Sequence, residues 1–347
     1  MTKNKVMIAL FSTMLLVGCG DKEETEKVEE TVEEEETIPV TEEVELPYVT
    51  PFTGEKVANE VTMRPIIATI NNHPDARPQS GIASADVVYE MLAEGDITRL
   101  LALFQSEIPE SIGPIRSARD YFIEISAGLD AFYIAHGYSP EAQTMLMNGV
   151  VDNINGMAYD GTVFKRSSER VAPHNSYIPG ENIELAAEKV NASLLYQEKV
   201  SYNFYEPDES AKMGVEATSV KITYGGSSSF NSVYTYNADT KVYSRESGSV
   251  VTTDHLTGEP IELSNVLFFE MDHRIIDSAG RREIDITSGG TAYVFQQGIM
   301  REVLWKNVDG VLKAVETDGS EVKLVPGHTW IHFVPSNPGI VSSVSFS

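Results

Sequence analysis

The chain has 347 residues and a formal net charge of -26, because 52 Asp and Glu residues outnumber 26 Lys and Arg residues. A protein this acidic lacks the broad basic face that neutralises phosphates, so we expect no nucleic-acid partner. Its single cysteine excludes an internal disulfide, and the fold must therefore be held by side-chain packing alone.

The first residues have the pattern of a secretory signal peptide. Lys3 and Lys5 precede an apolar run, Val6 to Val17, which is too short to span a bilayer as a mature helix. The run leads into LVGC, the lipobox pattern of bacterial lipoproteins, in which the cysteine becomes the first residue and carries lipid such as palmitate. We predict a signal peptide over 1–19, lipidation at Cys19 and anchoring to the outer face of the cytoplasmic membrane. The alternative is a short transmembrane anchor with an incidental cysteine.

Residues 20–46 are predicted to form an acidic tether. From Asp21 to Glu45 there are 13 acidic residues and 2 lysines, a net charge of -11. Like charges repel along this run and little apolar surface can be buried, so we predict a disordered, extended spacer. A single exposed helix in its middle is the alternative.

Strand-like and helix-like segments alternate over 47–204, which predicts a mixed α/β domain with a central sheet and covering helices. The predicted strands are Arg64–Ile70, Ala85–Leu92, Thr98–Gln105 and Asp130–His136. The predicted helices are Ser117–Leu129, Ser139–Gly149 and Glu181–Val190. Ser117 is the predicted capping residue of the first helix.

The helical pattern disappears over 205–347, where β-branched and aromatic residues alternate between turn signals. The predicted strand segments are Ser219–Gly225, Ser232–Arg245, Asn265–Asp272, Thr291–Asn307 and Thr329–Val334. The second of these has the pattern of a hairpin. We predict a mainly antiparallel β domain over 205–347, which makes the whole chain α+β.

One candidate ligand site is the basic stretch GPIRSARDYF, Gly113–Phe122. Arg116 and Arg119 flank the predicted start of a helix, whose free N–H groups attract anions. We expect both guanidiniums to converge on a phosphate or carboxylate ligand, with Asp120 beside them. The alternative is an ordinary helix start with an Arg116–Asp120 ion pair.

A second candidate is the hydroxyl-rich basic stretch Phe164–Tyr177, in which the helical and strand periodicities are missing. Loops on a rigid scaffold often carry function, so we expect an oxyanion site here. The alternative is a surface loop that balances neighbouring glutamates. The candidate ligand-binding residues of this loop are Lys165, Arg166, Arg170, His174 and Asn175.

Polar residues also follow the predicted strands, and ligands of open α/β sheets bind beyond the carboxyl ends of strands. Each residue taken singly is equally explained as structural, and the charged turn at 90–99 supplies either acid/base groups or ordinary surface charge. The candidates of this kind are Asn71, Asn72, His73, Arg99 and His136.

The signatures of thiol proteases, common serine hydrolases, nucleotide kinases and zincins are missing from the sequence. The histidines are scattered, which disfavours a closed zinc site. We therefore predict no cofactor and no metal, and the sequence leaves open whether the protein is an enzyme.

The stretches RPIIATINNHPDARPQSG, HGYSPEA, FKRSSERVAPHNSY and GRREIDITSGG resemble the YerB-like bacterial lipoproteins, and the resemblance extends over nearly all of the chain from Thr50. It implies an N-terminal mixed domain and a smaller C-terminal one. It implies no activity, because the family is one of unknown function. TRLLALFQ followed by IGPIRSARD is also similar to the LytR-CpsA-Psr envelope transferases, which hold a polyprenyl pyrophosphate. That similarity implies ligand contacts at Arg99, Arg116, Arg119 and Asp120.

Three functions fit these observations. The first is a lipoprotein that binds an anionic cell-wall component or a membrane partner through an Arg/His-rich pocket. The second is an envelope enzyme acting on phosphate-linked glycan or lipid-carrier substrates, in which arginines stabilise oxyanion charge and Asp120 or His174 moves a proton. The third is a structural partner whose β domain docks in an envelope assembly.

Overall fold

The computed structural model describes residues 46–197, 200–206, 209, 211 and 213–347. The predicted signal peptide, Cys19 and the tether up to residue 45 lie outside the described residues. Among the described residues, no helix combines the length and apolar character that crossing a bilayer takes. Val44–Ser347 forms one compact unit by itself.

Short strands make up most of the regular structure. In chain order they are β1 Tyr48–Val49, β2 Lys56–Val57, β3 Ile66–Asn71, β4 Val87–Glu94, β5 Ile97–Phe104, β6 Ser111–Ile112, β7 Phe132–Ala135, β8 Asn153–Asn155, β9 Lys165–Arg166, β10 Ser176–Pro179, β11 Val215–Glu216, β12 Ser219–Ile222, β13 Ser232–Asn237, β14 Val242–Ser247, β15 Val250–Val251, β16 Asn265–Met271, β17 His273–Ile275, β18 Arg282–Ile284, β19 Gly290–Gln296, β20 Ile299–Val308, β21 Val311–Val315, β22 Thr329–Pro335 and β23 Val344–Phe346. The α-helices are α1 Asp120–Gly128, α2 Pro140–Met147, α3 Gly156–Tyr159, α4 Ile183–Val190 and α5 Ile340–Ser343. Sheets with a few short helices give the α+β class that the sequence predicts.

One sheet of eleven strands runs through the molecule in the order β11-β20-β19-β16-β22-β4-β5-β3-β7-β8, with β21 also paired to β20. Its parallel pairs are β16–β22, β22–β4, β3–β7 and β7–β8. The strand β22 lies between β16 and β4, so the sequence on both sides of residue 205 contributes to the same sheet. The division into domains over 47–204 and 205–347 stays a prediction from the sequence.

Both faces of this sheet are covered. Successive residues of a strand point to opposite faces. On one face Ile67 and Leu101 share an apolar cluster with Tyr121 of α1. On the other face Ile66 and Ala102 share a cluster with α4 and with the separate five-stranded sheet β15-β14-β13-β12-β23. Burial on both faces explains why β4 and β5 read as nearly continuous apolar runs.

A charged network is buried between the large sheet and the five-stranded sheet. Arg245 Nη2 lies 2.7 Å from Oε2 of Glu90, and Trp330 Nε1 donates to the same oxygen at 3.0 Å. Burial raises the pKa of Glu90, but Arg245 and then His332 lower it by more, so the net pKa lies below its ordinary value. Burial lowers the pKa of His332 to about 3, and this ring is therefore neutral.

The first long helix begins later than predicted. The N–H groups of Arg116 and Ala118 donate to the carbonyls of Thr69 at 2.8 Å and Gly137 at 3.0 Å, which holds this segment extended between two strand ends. Helix α1 therefore starts at Asp120, and Arg119, with φ of -130° and ψ of 158°, is its N-cap residue. The prediction of Ser117 as the capping residue was wrong, because the N–H groups of its neighbours Arg116 and Ala118 already donate to carbonyls at the ends of strands.

Candidate functional site

Three segments meet at the edge of the sheet where β3 and β7 end. These strands are parallel, so their carboxyl ends lie together. The segment 113–118 crosses this edge: Asn71 N donates to Pro114 O at 2.8 Å, and His136 N donates to Arg116 O at 2.9 Å. Ile115 N also donates to Ser176 O at 2.6 Å, which joins the loop 165–176 to the same place.

We define the Arg116 cluster as Asn71, Arg116, His136, Arg166 and His174. These residues come from the end of β3, the crossing segment, the end of β7 and the loop 165–176. They were chosen from separate stretches of the sequence, and the backbone hydrogen bonds at this edge bring their segments together.

Arg116 is the unusual member of the cluster. Its Nε atom is buried, and its side chain has no salt bridge or hydrogen bond among the described residues. Burial, and then the nearby Arg99, lower the pKa of Arg116 to about 10, so the guanidinium stays charged at neutral pH. A buried donor on a cation that has no acceptor is costly, and an anionic acceptor would compensate it.

His136 is held as a neutral ring. Nη2 of Arg166 donates to its Nε2 at 3.1 Å, which leaves Nδ1–H to donate to Ser176 Oγ at 2.7 Å. Burial, and then Arg166, lower the pKa of His136. Arg166 is itself paired with Asp160 at 2.9 Å and donates to Asn175 Oδ1 at 3.0 Å. Arg166 therefore orients His136 and is not a free cation.

His174 is also neutral, with its proton on the other nitrogen. The N–H of His73 donates to Asn71 Oδ1 at 2.9 Å, which turns the Asn71 amide so that Nδ2 donates to His174 Nδ1 at 2.8 Å. Nε2 then carries the proton. Burial, and then His73 and Arg116, lower the pKa of His174. The Nε2–H of His174 has no acceptor among the described residues and is available to a ligand.

His73, Asp75 and His174 place their ligand atoms within 4.8 Å of one another, which raises the question of a metal ion. The two imidazole rings stack with centroids 4.8 Å apart. A metal needs an unprotonated ring nitrogen, but Asn71 occupies Nδ1 of His174 and Nε2 bears its proton. The positive charge of Arg116 also repels a cation. These donors fit an oxyanion better than a metal ion.

The other two predicted arginines are paired with a carboxylate, although Arg99 lies near Arg116 and donates to Ser117 O at 2.9 Å. Arg99 pairs with Glu94 at 2.8 Å, and Arg119 forms an ion pair with the same carboxylate. Arg116 and Arg119 therefore do not converge on one ligand. Asp120 lies beside Arg119 at a separate cavity of about 130 Å³, lined also by Ser139 and Arg282. Of the four positions that match the LytR-CpsA-Psr transferases, Arg99 and Arg119 share Glu94, Arg99 also lies near Arg116, and Asp120 lies at the separate cavity.

Three further predicted residues have structural or peripheral positions. Asn72 is buried and donates to Glu90 Oε1 at 3.0 Å and Thr98 Oγ1 at 2.8 Å. Arg170 Nη1 donates to Ala76 O at 2.8 Å, and its Nη2 donates to Pro78 O at 2.6 Å, so it fastens the loop 165–176 to the loop after β3. Lys165 is exposed on β9.

Sequence reasoning missed Asp160, Ser176 and the buried Arg245. No periodicity identifies Asp160 or Ser176, because their roles depend on contacts across the loop 165–176. Arg245 did carry a signal: it lies two residues after Tyr243 in the predicted hairpin, and such residues share one face of a strand. Both are buried.

The family models described as "Protein of unknown function (DUF3048)" match at residues 52–193 for the N-terminal domain and 220–331 for the C-terminal domain. A protein of Bacillus subtilis (strain 168) named "Putative lipoprotein YerB" is 45% identical over 287 residues, which cover 82% of this chain and 86% of that protein. The crystal structure of the YerB protein from Bacillus subtilis has a TM-score of 0.78 and 39% identity, covering 86% of this chain and 99% of that chain. These matches confirm the resemblance to the YerB-like bacterial lipoproteins.

Proposed function

Because this chain belongs to the DUF3048 family of proteins of unknown function, we propose that it is a lipid-anchored protein that binds an anionic component of the cell envelope. The name of the Bacillus subtilis relative, together with the lipobox LVGC, supports the anchor at Cys19. On this proposal the ligand site lies on the outer side of the cytoplasmic membrane.

The unpartnered guanidinium of Arg116 is the observation that supports the choice of ligand. Acidic residues outnumber basic ones two to one in this chain, yet no carboxylate pairs with Arg116 among the described residues. The guanidinium fork suits the two oxygens of a phosphate or carboxylate. The Nε2–H of His174 supplies a further donor from the neighbouring loop.

The arrangement suits recognition of one oxyanion. Arg116 supplies the charge, and the neutral rings of His136 and His174 add no second charge that would demand a polyanion. Asn71 and Arg166 fix the orientation of the two rings through hydrogen bonds of 2.8 and 3.1 Å. The site is thereby organised before a ligand arrives, which reduces the entropic cost of binding.

Catalysis is the second candidate function, and it loses one of its two proposed proton carriers. Asp120 borders the cavity beside Arg119 and is not a member of the Arg116 cluster. His174 remains next to the candidate oxyanion position, but Asn71 occupies its Nδ1 and its Nε2 already bears a proton, so in this tautomer the ring donates a hydrogen bond and does not accept a proton. An enzyme acting on phosphate-linked glycan or lipid-carrier substrates would therefore need the other tautomer of His174 for general-base catalysis.

Replacement of Arg116 tests the proposal. The chain from residue 20 is titrated with teichoic-type and lipid-linked phosphate substrates that carry a label. We expect Arg116→Gln to weaken binding at least about tenfold, because a charge-assisted hydrogen bond contributes roughly 1.5–3 kcal/mol. Turnover of the labelled substrate would favour the enzyme over the binding protein.

Arg274→Gln is the matched control for this experiment. Arg274 is an exposed arginine that pairs with Glu283, so the substitution removes the same charge at a distance from the Arg116 cluster. Equal affinity of Arg116→Gln and wild type for the ligand would refute the site. If Arg116→Gln and Arg274→Gln lose affinity equally, the loss comes from the change in net charge and not from a specific contact.

A further inference from the structure

A groove of about 420 Å³ is lined by Asn155, and the next residue, Gly156, packs against His136 of the Arg116 cluster. Helix α3 forms one wall and α2 another. Most of its lining side chains are apolar or aromatic, and they include Tyr138, Leu146, Met147, Val151, Tyr159 and Val190. A groove of this composition does not match a purely polar ligand such as an unmodified glycan chain.

Large apolar side chains are exposed around the groove. Met147 at the end of α2 is 80% exposed, Val150 is 45% exposed, and Met157 on α3 is 64% exposed. Exposed apolar side chains that cluster together mark interaction sites on soluble domains. Methionine side chains are flexible and polarizable, and they adapt to the shape of a bound hydrocarbon.

The groove and the cluster share α3 as a common wall. Gly156 packs against His136 so closely that a Cβ added there would lie 2.1 Å from Nδ1 of the ring. On the same segment Asn155, which lines the groove, accepts a hydrogen bond of 3.0 Å from Gly137 N through its Oδ1. The apolar surface therefore begins within a few residues of the ring that Arg166 orients.

We propose that the ligand is an amphiphile, with one oxyanion head at Arg116 and a hydrocarbon chain in the α2–α3 groove. The inference rests on the proposed function, since it takes the anion site as given and adds the chemistry of the rest of the ligand. The head satisfies the unpartnered guanidinium and the Nε2–H of His174. The chain covers the apolar lining that a polar ligand would leave exposed to water.

The probes are monomeric n-alkyl phosphates of increasing chain length, with inorganic phosphate as the reference. They are titrated below their critical micelle concentrations into the chain from residue 20, because Val44–Ser347 is a compact unit by itself. We expect affinity to rise with each added methylene, by at most about fourfold for a fully buried group, until the groove is filled. An alkyl maltoside of the same length, which has no anion, should bind at least about tenfold more weakly.

Groove variants separate the chain from the head. Met147→Ser and Ala158→Asn change exposed residues that line the groove, and each should flatten the dependence on chain length while inorganic phosphate binds as in wild type. Met213→Ser is the matched control, because Met213 is 97% exposed and does not line the groove. It should retain the wild-type dependence on chain length.

The outcomes distinguish the inference from the function beneath it. Binding of phosphate that depends on Arg116 but not on chain length overturns the amphiphile and keeps the anion site. Alkyl phosphate binding that Arg116→Gln leaves unchanged overturns both. Binding to anionic lipid vesicles without binding to monomers also overturns the inference, because the apolar side chains would then contact a bilayer surface.

Discussion

At the scale of single residues, two arginines of this protein differ in whether a carboxylate of the protein pairs with them. Arg245 is 1% exposed and is matched by the fully buried Glu90, whereas Arg116 is half-buried and has no carboxylate partner among the described residues. The first arrangement is complete within the protein, while the second is the one for which we propose a ligand. His332 belongs to the complete kind. Its two ring nitrogens are hydrogen-bonded to the hydroxyls of Tyr224 and Tyr234.

The hydrogen-bond directions fix the state of His332. Arg245 Nε donates to Tyr234 Oη at 3.1 Å, so this hydroxyl donates to Nε2 of His332. The ring then donates from Nδ1 to Tyr224, whose hydroxyl donates to the carbonyl of Glu90 at 3.0 Å. With a neutral imidazole, every group in this series of hydrogen bonds has a partner. A second proton on the ring would break the hydrogen bond that Nε2 accepts from Tyr234.

Replacing His332 should change how stability depends on pH. Burial lowers the pKa of His332 to about 3, against about 6.5 in the unfolded chain. Between these values only the unfolded chain binds the proton, so the free energy of unfolding rises with pH by about 1.4 kcal/mol per pH unit from this group. We expect His332→Gln to reduce the slope between pH 4 and pH 6 by that amount, measured by urea unfolding at several pH values. Lost hydrogen bonds lower the whole curve without changing its slope, so parallel curves for variant and wild type would contradict the assignment.

At the scale of elements, a loop carries the site and an arginine secures the loop. The N–H of Ser167 donates to Asn175 O, and the N–H of His174 donates to Val171 O, both at 2.9 Å. Arg170 then attaches this loop to two carbonyls of the loop after β3 and to the hydroxyl of Tyr177. The position of His174 beside Arg116 therefore depends on Arg170. The side chain of Arg170 is used for these contacts and does not itself face a ligand.

Loss of the Arg170 contacts should loosen the loop and leave the fold intact. Arg170→Met keeps the length of the side chain but removes its donors. We expect faster hydrogen exchange at the amides of Ser167 and His174, with a change in the free energy of unfolding of about 1 kcal/mol or less. Lys165→Met is the control, because it removes one exposed charge from the same loop. Unchanged exchange in Arg170→Met, measured by mass spectrometry, would refute the fastening role.

Patterns along the chain predicted most of the elements that position the site. β4 and β5 follow from apolar runs, and α2 follows from Ser139, whose Oγ accepts from Ala142 N at 3.3 Å as a capping side chain does. The pairing of charges was not predictable in the same way. Glu94 captures Arg99 and Arg119 through the register of β4 and β5 and the path of 113–118, which periodicity does not specify. The sequence pattern identified Arg116, whereas the absence of a carboxylate partner for it among the described residues is a property of the tertiary structure.

At the scale of the whole molecule, the family models match two parts of the chain, and these parts are joined by a shared sheet and by a buried charge pair. Glu90 lies in the half matched at 52–193, and Arg245 and Trp330 lie in the half matched at 220–331. Neither half alone has the partner that makes its buried charge tolerable. The two matched halves are therefore expected to unfold together as one cooperative body.

Membrane attachment is a property of the whole chain, and Cys19→Ser tests it. A lipid anchor needs more than one acyl chain for stable binding, and the described residues contain no helix that could substitute for it. We expect the variant to leave the membrane fraction when cells are fractionated, while the wild-type protein stays in it. Retention of Cys19→Ser would contradict lipidation as the sole attachment.

The place of β22 between β16 and β4 determines when the largest sheet can close during synthesis. Because β4 and β16 precede β22 in the chain, both flanking strands have an unpaired edge until Thr329–Pro335 has been made. Throughout that interval Glu90 lacks the indole of Trp330, and the largest sheet stays divided. A copy that stalls before this strand is open to proteases and to edge-to-edge aggregation. The largest sheet, and with it the pairing of Glu90 with Trp330, is therefore complete only once β22 has joined it.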